Sequence, residues 1–364
     1  MQARCVMRHL LLVFVPALVL ATTSAMAAPM DQLVPEFASN TLIMNGVTTT
    51  PDGRRFVVVQ PQKPGQSEIA EITSGSAKPY PDVEWNNWLP GKDGRAAFVG
   101  ANSLRVGPDG ALWVVDRGAP GIGAPLAEGG PKLVRIDLAA NRVSRVYDLA
   151  SVAQGESFVD DVRFNGDMAY LTDAGRPALI VLDLVTGKAR RVLENHPSTV
   201  AARPLMAEGR QLRDTQGHPV VVHADQLEVS NDGRWLFYQP CSGPMFRIET
   251  RFLDDPSLDA AAHVAPFADT PSTGGTAIDL AGTIYVSDTD HSRVLKISPA
   301  GEISTLVDDP RLAWIDAMWI DDDGKLWMPA AQLNRTAGLN EGKDAVDWPV
   351  TVYSIAIGAK PVRR

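Results

Sequence analysis

The sequence predicts an all-β chain folded as a six-bladed β-propeller. Two observations carry that expectation: a turn signal that recurs six times, and strand patterns flanking each recurrence. The turns are Pro51-Asp52-Gly53, Pro108-Asp109-Gly110, Phe164-Asn165-Gly166, Asn231-Asp232-Gly233, Leu280-Ala281-Gly282 and Asp322-Asp323-Gly324. Asp-Gly and Asn-Gly favour tight hairpins because such turns need positive φ, which glycine adopts without a steric penalty. Repetition of one such unit is the signature of a repeat architecture.

Each turn follows a short alternating run, such as Leu104-Arg105-Val106 or Leu227-Glu228-Val229. After it comes a strand with an early aromatic: Phe56, Trp113, Tyr170, Phe237, Tyr285 and Trp327. A further strand usually follows, as in Leu133–Ile136, Leu179–Leu182, Val294–Ile297 and Val352–Ile355. Period-two alternation with β-branched and aromatic residues is the strand pattern. A unit of four strands cannot bury both faces alone, and stacking such units around an axis solves that problem. A β-sandwich does not require six matching turns. Residues 118–131 are rich in Gly, Pro and Ala and read as a mobile loop. Residues 196–216 lack a strand pattern and read as a long connection between blades three and four.

The N-terminus reads as an export signal. Arg4, Arg8 and His9 precede the apolar run Leu10–Ala21, and Ala25-Met26-Ala27 has the small-residue cleavage pattern. The expected organisation is a signal peptide over 1–27 and one propeller domain over 28–364, in a secreted or periplasmic protein. No later segment has the length and hydropathy of a transmembrane helix. Apolar residues make up 45% of the chain and charged residues 21%, enough for a sizeable core and against disorder. The net charge of −9 argues against nucleic acid and anionic membrane surfaces as partners. Cys5 leaves with the signal, so Cys241 has no disulfide partner and is expected to be buried.

Candidate site residues come from the repeat register. Eight residues before the turn glycines stand Asn45, Asn102, Asp225, Gly274 and Asp316; blade three has a shorter turn and places Asp160 there. These positions precede the strands that line the channel, so they should form a ring at one mouth. Three carboxylates together either raise one another's pKa or take up a cation. Hard oxygen donors suit Ca²⁺ or Mg²⁺, which makes Asp160, Asp225 and Asp316 the candidate metal ligands. The alternative is that each residue caps a neighbouring turn. His223, two residues before Asp225, is a candidate general base beside it, or else a structural histidine. Trp314 flanks Asp316 and offers either an aromatic wall or core packing. Asn334-Arg335-Thr336 matches the glycosylation sequon. Nucleophile-elbow, zinc-helix, dithiol, P-loop and dinucleotide motifs are absent.

The chain resembles the major royal jelly protein and yellow family, in its bacterial branch, from about Val47 to Ile357. The likeness rests on Tyr80-Pro81-Asp82 with Trp85-Asn86, on Leu112-Trp113 with Asp116 and Gly118, and on Pro131–Leu138. It continues through Asp161, Ala169–Asp173, Asp232–Tyr238 and Gln332-Leu333-Asn334-Arg335. The resemblance implies a secreted six-bladed propeller. Its insect members include pigmentation proteins linked to dopachrome conversion and salivary proteins that bind biogenic amines. Ligand contacts in the amine binders imply Gln332 and Asn334 as ligand-binding candidates. The chain is similar, more distantly, to the gluconolactonase and senescence marker protein propellers. Those are metal-dependent lactone hydrolases whose ion is held by Glu, Asn and Asp. Here Asp225 stands in the Asn position, Gly274 in the Asp position, and Asn45 near the Glu position.

The function expected is therefore binding of a small metabolite, aromatic ones included, at the channel mouth, with isomerisation of the dopachrome-conversion type. The alternatives are a divalent-metal-dependent lactonase-like hydrolase and a non-catalytic interaction scaffold.

Overall fold

The computed structural model describes Met1 and residues 32–63, 66–121 and 123–363. The expected signal peptide and its cleavage site lie outside the described residues. Six four-stranded antiparallel sheets form the blades of a β-propeller. Blade one comprises Ile43–Thr49, Arg55–Gln60, Ile69–Thr73 and Ser76–Pro79. Blade two comprises Ala101–Val106, Leu112–Arg117, Pro131–Asp137 and Arg142–Asp148. Blade three follows with Val159–Asn165, Met168–Asp173, Ala178–Asp183 and Ala189–Val192. Blade four has Ala224–Val229, Trp235–Pro240, Met245–Glu249 and Ala265–Ala268; blade five has Thr276–Ile278, Ile284–Asp288, Arg293–Ile297 and Ile303–Asp308.

Blade six is made from both ends of the chain. Trp319–Ile320, Lys325–Ala330 and Val350–Ala356 are completed on the outside by Val34–Ser39, with Val34 opposite Ser354 and Ser39 opposite Val350. That closure pairs an edge that would otherwise present free N–H and C=O groups.

All six turn glycines have positive φ, between 59° and 87°. In blades one, two, four, five and six the glycine amide donates to the carbonyl three residues earlier, as from Gly53 to Thr50 and from Gly110 to Gly107. Blade three is shorter: Asn165 pairs directly with Met168 across Gly166-Asp167. The six aromatics of the second strands are all buried. They pack between blades: Trp113 lies 4.9 Å from Phe164 of the next blade, ring centre to ring centre.

An aspartate at or one residue before the end of the second strand anchors neighbouring segments in three blades. Asp116 accepts the amides of Val99, Gly100 and Gly118 and the Lys132 ammonium at 2.6 Å. Asp173 accepts Ser157, Phe158 and Arg191 in the same way, and Asp288 accepts Arg293. Asn86 clamps the entry to blade two, accepting the amides of Glu68 and Ile69 and donating to the Tyr80 and Asp82 carbonyls.

The connection over 193–223 differs from the expected structureless link. It holds a small hairpin, Met206–Ala207 with Arg210–Gln211, turning on Glu208 and Gly209, both at positive φ. Strands of two residues carry too little alternation to be read from sequence. Residues 118–121 and 123–130 lie in the expected loop between the second and third strands of blade two, and Pro131 begins the third strand.

Candidate functional site: a carboxyl ring beneath a roof

The ring positions acquire their direction from a backbone irregularity. The inner strands of blades one to four each shift register near their start: between Met44 and Gly46, Ala101 and Ser103, Val159 and Val162, and Ala224 and Leu227. A bulge puts an extra residue against its partner strand and re-aims side chains. The bulged residues are Asn45, Asn102, Asp160-Asp161 and Asp225-Gln226. In blade six, Asp316 lies between the Ile315–Ala330 bridge and the Trp319–Trp327 pair. The strand start in blades one to four and in blade six thus carries a polar side chain at the ring position, whereas blade five has Gly274 there.

The structure brings these residues together. Asn45 Nδ2 donates to the Asn102 carbonyl at 3.2 Å, and the Asn45 carbonyl accepts the Ala317 amide at 3.0 Å. Asn102 Oδ1 accepts Arg117 Nη1 at 3.2 Å and Gln60 Nε2 at 3.4 Å. Asp160 and Asp225 hydrogen-bond to each other. Asp316 interacts with both through space and accepts Trp314 Nε1 at 3.0 Å and the Ala317 amide at 2.8 Å.

Burial sets the protonation of the group. Burial, and then the Asp225 charge, holds the Asp160 carboxyl well above the usual range. Burial pushes Asp225 up to about 6, against hydrogen bonding with Asp160 and from Gln226. Burial followed by the Asp225 charge likewise raises Asp316. Two carboxyl groups in contact cannot both ionise readily, so the pair carries one shared proton near neutrality. Asn45 Oδ1 is buried with no hydrogen-bond partner among the described residues.

Several neighbours were not foreseen. Gln226 Nε2 donates to Asp225 Oδ2 at 2.7 Å and to the Thr273 carbonyl at 2.8 Å. Cys241, buried and unbridged as expected, donates its thiol to Thr273 O at 3.2 Å beside Asp225. Burial and the Asp225 charge push that thiol up, so it is no ready nucleophile. Glu68 meets the Ala101 amide and is pushed up to about 7 by burial and the Asp116 charge, against Arg117. The doublets Asp160-Asp161 and Asp225-Gln226 were the available signal, since a bulge aims two successive residues inward.

Other candidates sit elsewhere. His223 Nδ1 accepts the Ala201 amide at 3.0 Å, which leaves the proton on Nε2, and burial lowers its pKa. No hydrogen bond joins His223 to Asp225 among the described residues, so the imidazole is built into the connection rather than paired with the carboxyl. Trp314 is buried and orients Asp316 instead of presenting an open face. Gln332 Nε2 donates to the Asp347 carbonyl, while its Oε1 accepts Arg335 and the Asp347 amide. Asn334 is fully buried and donates to Glu208 at 2.7 Å. Its burial also keeps the sequon from a glycan in the folded chain.

Gln332 and Asn334 belong to a roof. Arg210 donates to the Asn334 carbonyl and Glu208 pairs with Arg335, so the 193–223 connection reaches across to blade six. On the way Met206 and Thr289 bond it to blade five. Leu205, Ala207, Leu212 and Val220 join one apolar cluster with Cys241, Trp314 and Ala331.

The donor set does not fit a divalent ion. Among the described residues no three of His, Cys, Asp and Glu are grouped to hold a metal. The fifth blade supplies no side-chain donor to the ring. A Cβ at Gly274 would stand 2.4 Å from the Ile315 carbonyl and 3.0 Å from Trp314 Nε1. The space of a fifth-blade carboxylate is filled by the Trp314 turn, where φ is 48°.

A family model described as major royal jelly protein matches residues 99–360. The chain belongs to the major royal jelly protein family. No curated protein sequence matches it. Solved structures similar to this major royal jelly protein family member include a luciferin-regenerating enzyme, at 12% identity over 91% of this chain and 98% of that one, with a TM-score of 0.56. A gluconolactonase from Xanthomonas campestris matches at 14% identity over 89% and 88%, with a TM-score of 0.54. A calcium-binding protein, regucalcin, from Agrobacterium tumefaciens matches at 12% identity over 91% and 95%, with a TM-score of 0.52. At such identities these likenesses establish the propeller fold.

Proposed function

We propose that this family member is exported and binds a small, donor-rich metabolite at the roofed mouth of its channel, where the Asp160–Asp225 pair exchanges a proton with it. The observation that carries this reading is the pair itself. Two carboxyl groups share a hydrogen bond, and among the described residues no Lys or Arg bonds to either. With Asp225 pushed up to about 6, the pair takes and returns a proton near neutrality, where general acid–base catalysis is most effective. Tautomerisation of a conjugated ligand asks for no more. A C–H bond breaks, its electron pair moves along the conjugated system, and an O–H or N–H bond forms elsewhere, with no oxidant consumed. Asn45 Oδ1 offers an acceptor for a ligand N–H or O–H. The likeness to pigmentation proteins linked to dopachrome conversion points to the same reaction class.

Equilibrium binding of dopamine and spectroscopic conversion of dopachrome test the proposal. Wild type should bind or convert one of them. Asp225→Asn should weaken binding about tenfold or more, the loss expected for a charged hydrogen bond, and abolish turnover. A wild type inert toward both, or an Asp225→Asn variant equal to it, overturns the reading. Export is tested separately: mass spectrometry of the mature protein should find Ala28 at its N-terminus.

A further inference from the structure

The inner strands run in one direction around the channel, so the turns that end them surround the mouth opposite the carboxyl ring. There a cavity of about 60 Å³ lies between Arg105, Arg163, Glu228, Trp319 and the C-terminal Val362-Arg363. Its hydrogen bonds are unevenly shared. Arg163 is satisfied: it grips Glu228 through Nε and Nη2 at 2.9 and 2.6 Å and Asp161 through Nη1 at 2.6 Å. Thr276 completes Glu228 at 2.8 Å. Among the described residues Arg105 hydrogen-bonds Asp161 alone, through Nη2 at 3.1 Å, and that carboxylate is already held by Arg163. Arg105 is 8% exposed, and its Nε has no hydrogen-bond partner among the described residues.

The tail brings in a further guanidinium. Arg363 stacks on Trp319 at 4.1 Å, donates to the Ile320 carbonyl at 2.9 Å and meets the half-exposed Asp322 at 3.2 Å. The Arg105 charge acts against that of Arg363, so the two cations face one space. Three guanidinium groups border the cavity: Arg163 and Arg363 have carboxylate partners in Glu228 and Asp322, while Arg105 shares Asp161 with Arg163. A buried guanidinium N–H left unbonded is costly unless something accepts it. The volume has room for a small ion together with water.

We propose that this cavity binds a small monovalent anion, a halide or a carboxylate of formate size, between Arg105 and Arg363. Guanidinium groups suit such ligands because their N–H donors are planar and permanently charged. The site lies apart from the carboxyl ring, and its test does not depend on that reading.

Wild-type crystals soaked in sodium bromide should show an anomalous peak within hydrogen-bond reach of Arg105 Nε. In solution, sodium chloride or sodium formate should raise the melting temperature by about 2 °C over sodium gluconate at equal ionic strength, through mass action on the folded state. Arg105→Gln should remove that difference. Should Arg105→Gln not fold, Val362→Trp, which fills the cavity, should remove both the difference and the bromide peak. A response to formate alone identifies a carboxylate, and one shared with chloride identifies a general anion site; either supports the proposal. A bromide map with no peak at Arg105, or a chloride effect that persists undiminished in the variants, overturns it.

Discussion

Asp160 and Asp225 come from different blades and meet because each inner strand bulges at its start. Their shared proton has a measurable consequence. Asp160, Asp225, Asp316 and Glu68 all hold protons more tightly in the folded chain than in the unfolded one, where such groups titrate near 4. Above that pH the unfolded state loses protons first, so stability falls as pH rises, through about 6 for Asp225 and about 7 for Glu68. Urea unfolding at pH 5 and pH 8 should show wild type weaker at the higher pH. Asp160→Asn should shrink that difference, and an unchanged slope would mean the two carboxyls do not interact. Asp161 has the opposite sign. Arg105 and Arg163 hold it low against its burial, so its contribution persists above pH 4 and fades only in stronger acid. A second residue-scale test concerns Lys132, whose ammonium is buried against Asp116. Lys132→Met leaves that carboxylate inside without its counter-charge and should cost about 3–5 kcal/mol in chemical denaturation. A cost below about 1 kcal/mol would show that the three backbone amides suffice.

At the scale of the element, the repeated unit is a bulged inner strand, a glycine turn and a second strand with a buried aromatic. The turn glycines and aromatics were legible because both are local: positive φ needs glycine within one turn, and alternation shows within one strand. The bulge was legible only as a register position, because its second residue is aimed by pairing with the next strand. Blade five departs from the pattern at Gly274, where the Trp314 turn of blade six occupies the side-chain space. Gly274→Asp, which restores a carboxylate to the ring, should therefore destabilise the protein by about 1–3 kcal/mol through overpacking and should not create calcium-dependent melting. A variant as stable as wild type that melts higher with Ca²⁺ would contradict both points. The roof depends on Glu208, which holds Asn334 and Arg335 together. Glu208→Ala should speed amide exchange over 205–212 while leaving the blade strands protected. Equal protection would place the roof's stability in its apolar contacts instead.

At the scale of the whole molecule, the ring is closed by Val34–Ser39 pairing with Val350–Ala356. A truncated chain beginning at residue 40 should lose the sharp melting transition and associate through the exposed edge, as read by circular dichroism and size-exclusion chromatography. A monomer that still melts sharply would show that blade six holds with three strands. At the opposite mouth the C-terminal segment docks against the channel, with Leu280 bonding the Lys360 carbonyl and Arg363 stacked on Trp319. Both chain ends therefore contribute to closure, one at the rim and one at the channel.

The blade number, the turn positions and the register of the carboxyl ring were determined by the sequence alone, because each follows from periodicity or from the conformational range of one residue type. The protonation of the ring, the roof and the cavity at Arg105 were decided by tertiary structure. Arg210 meets Asn334 and Arg163 meets Glu228 across long stretches of chain. Desolvation depends on what those distant segments cover, and no local pattern records it.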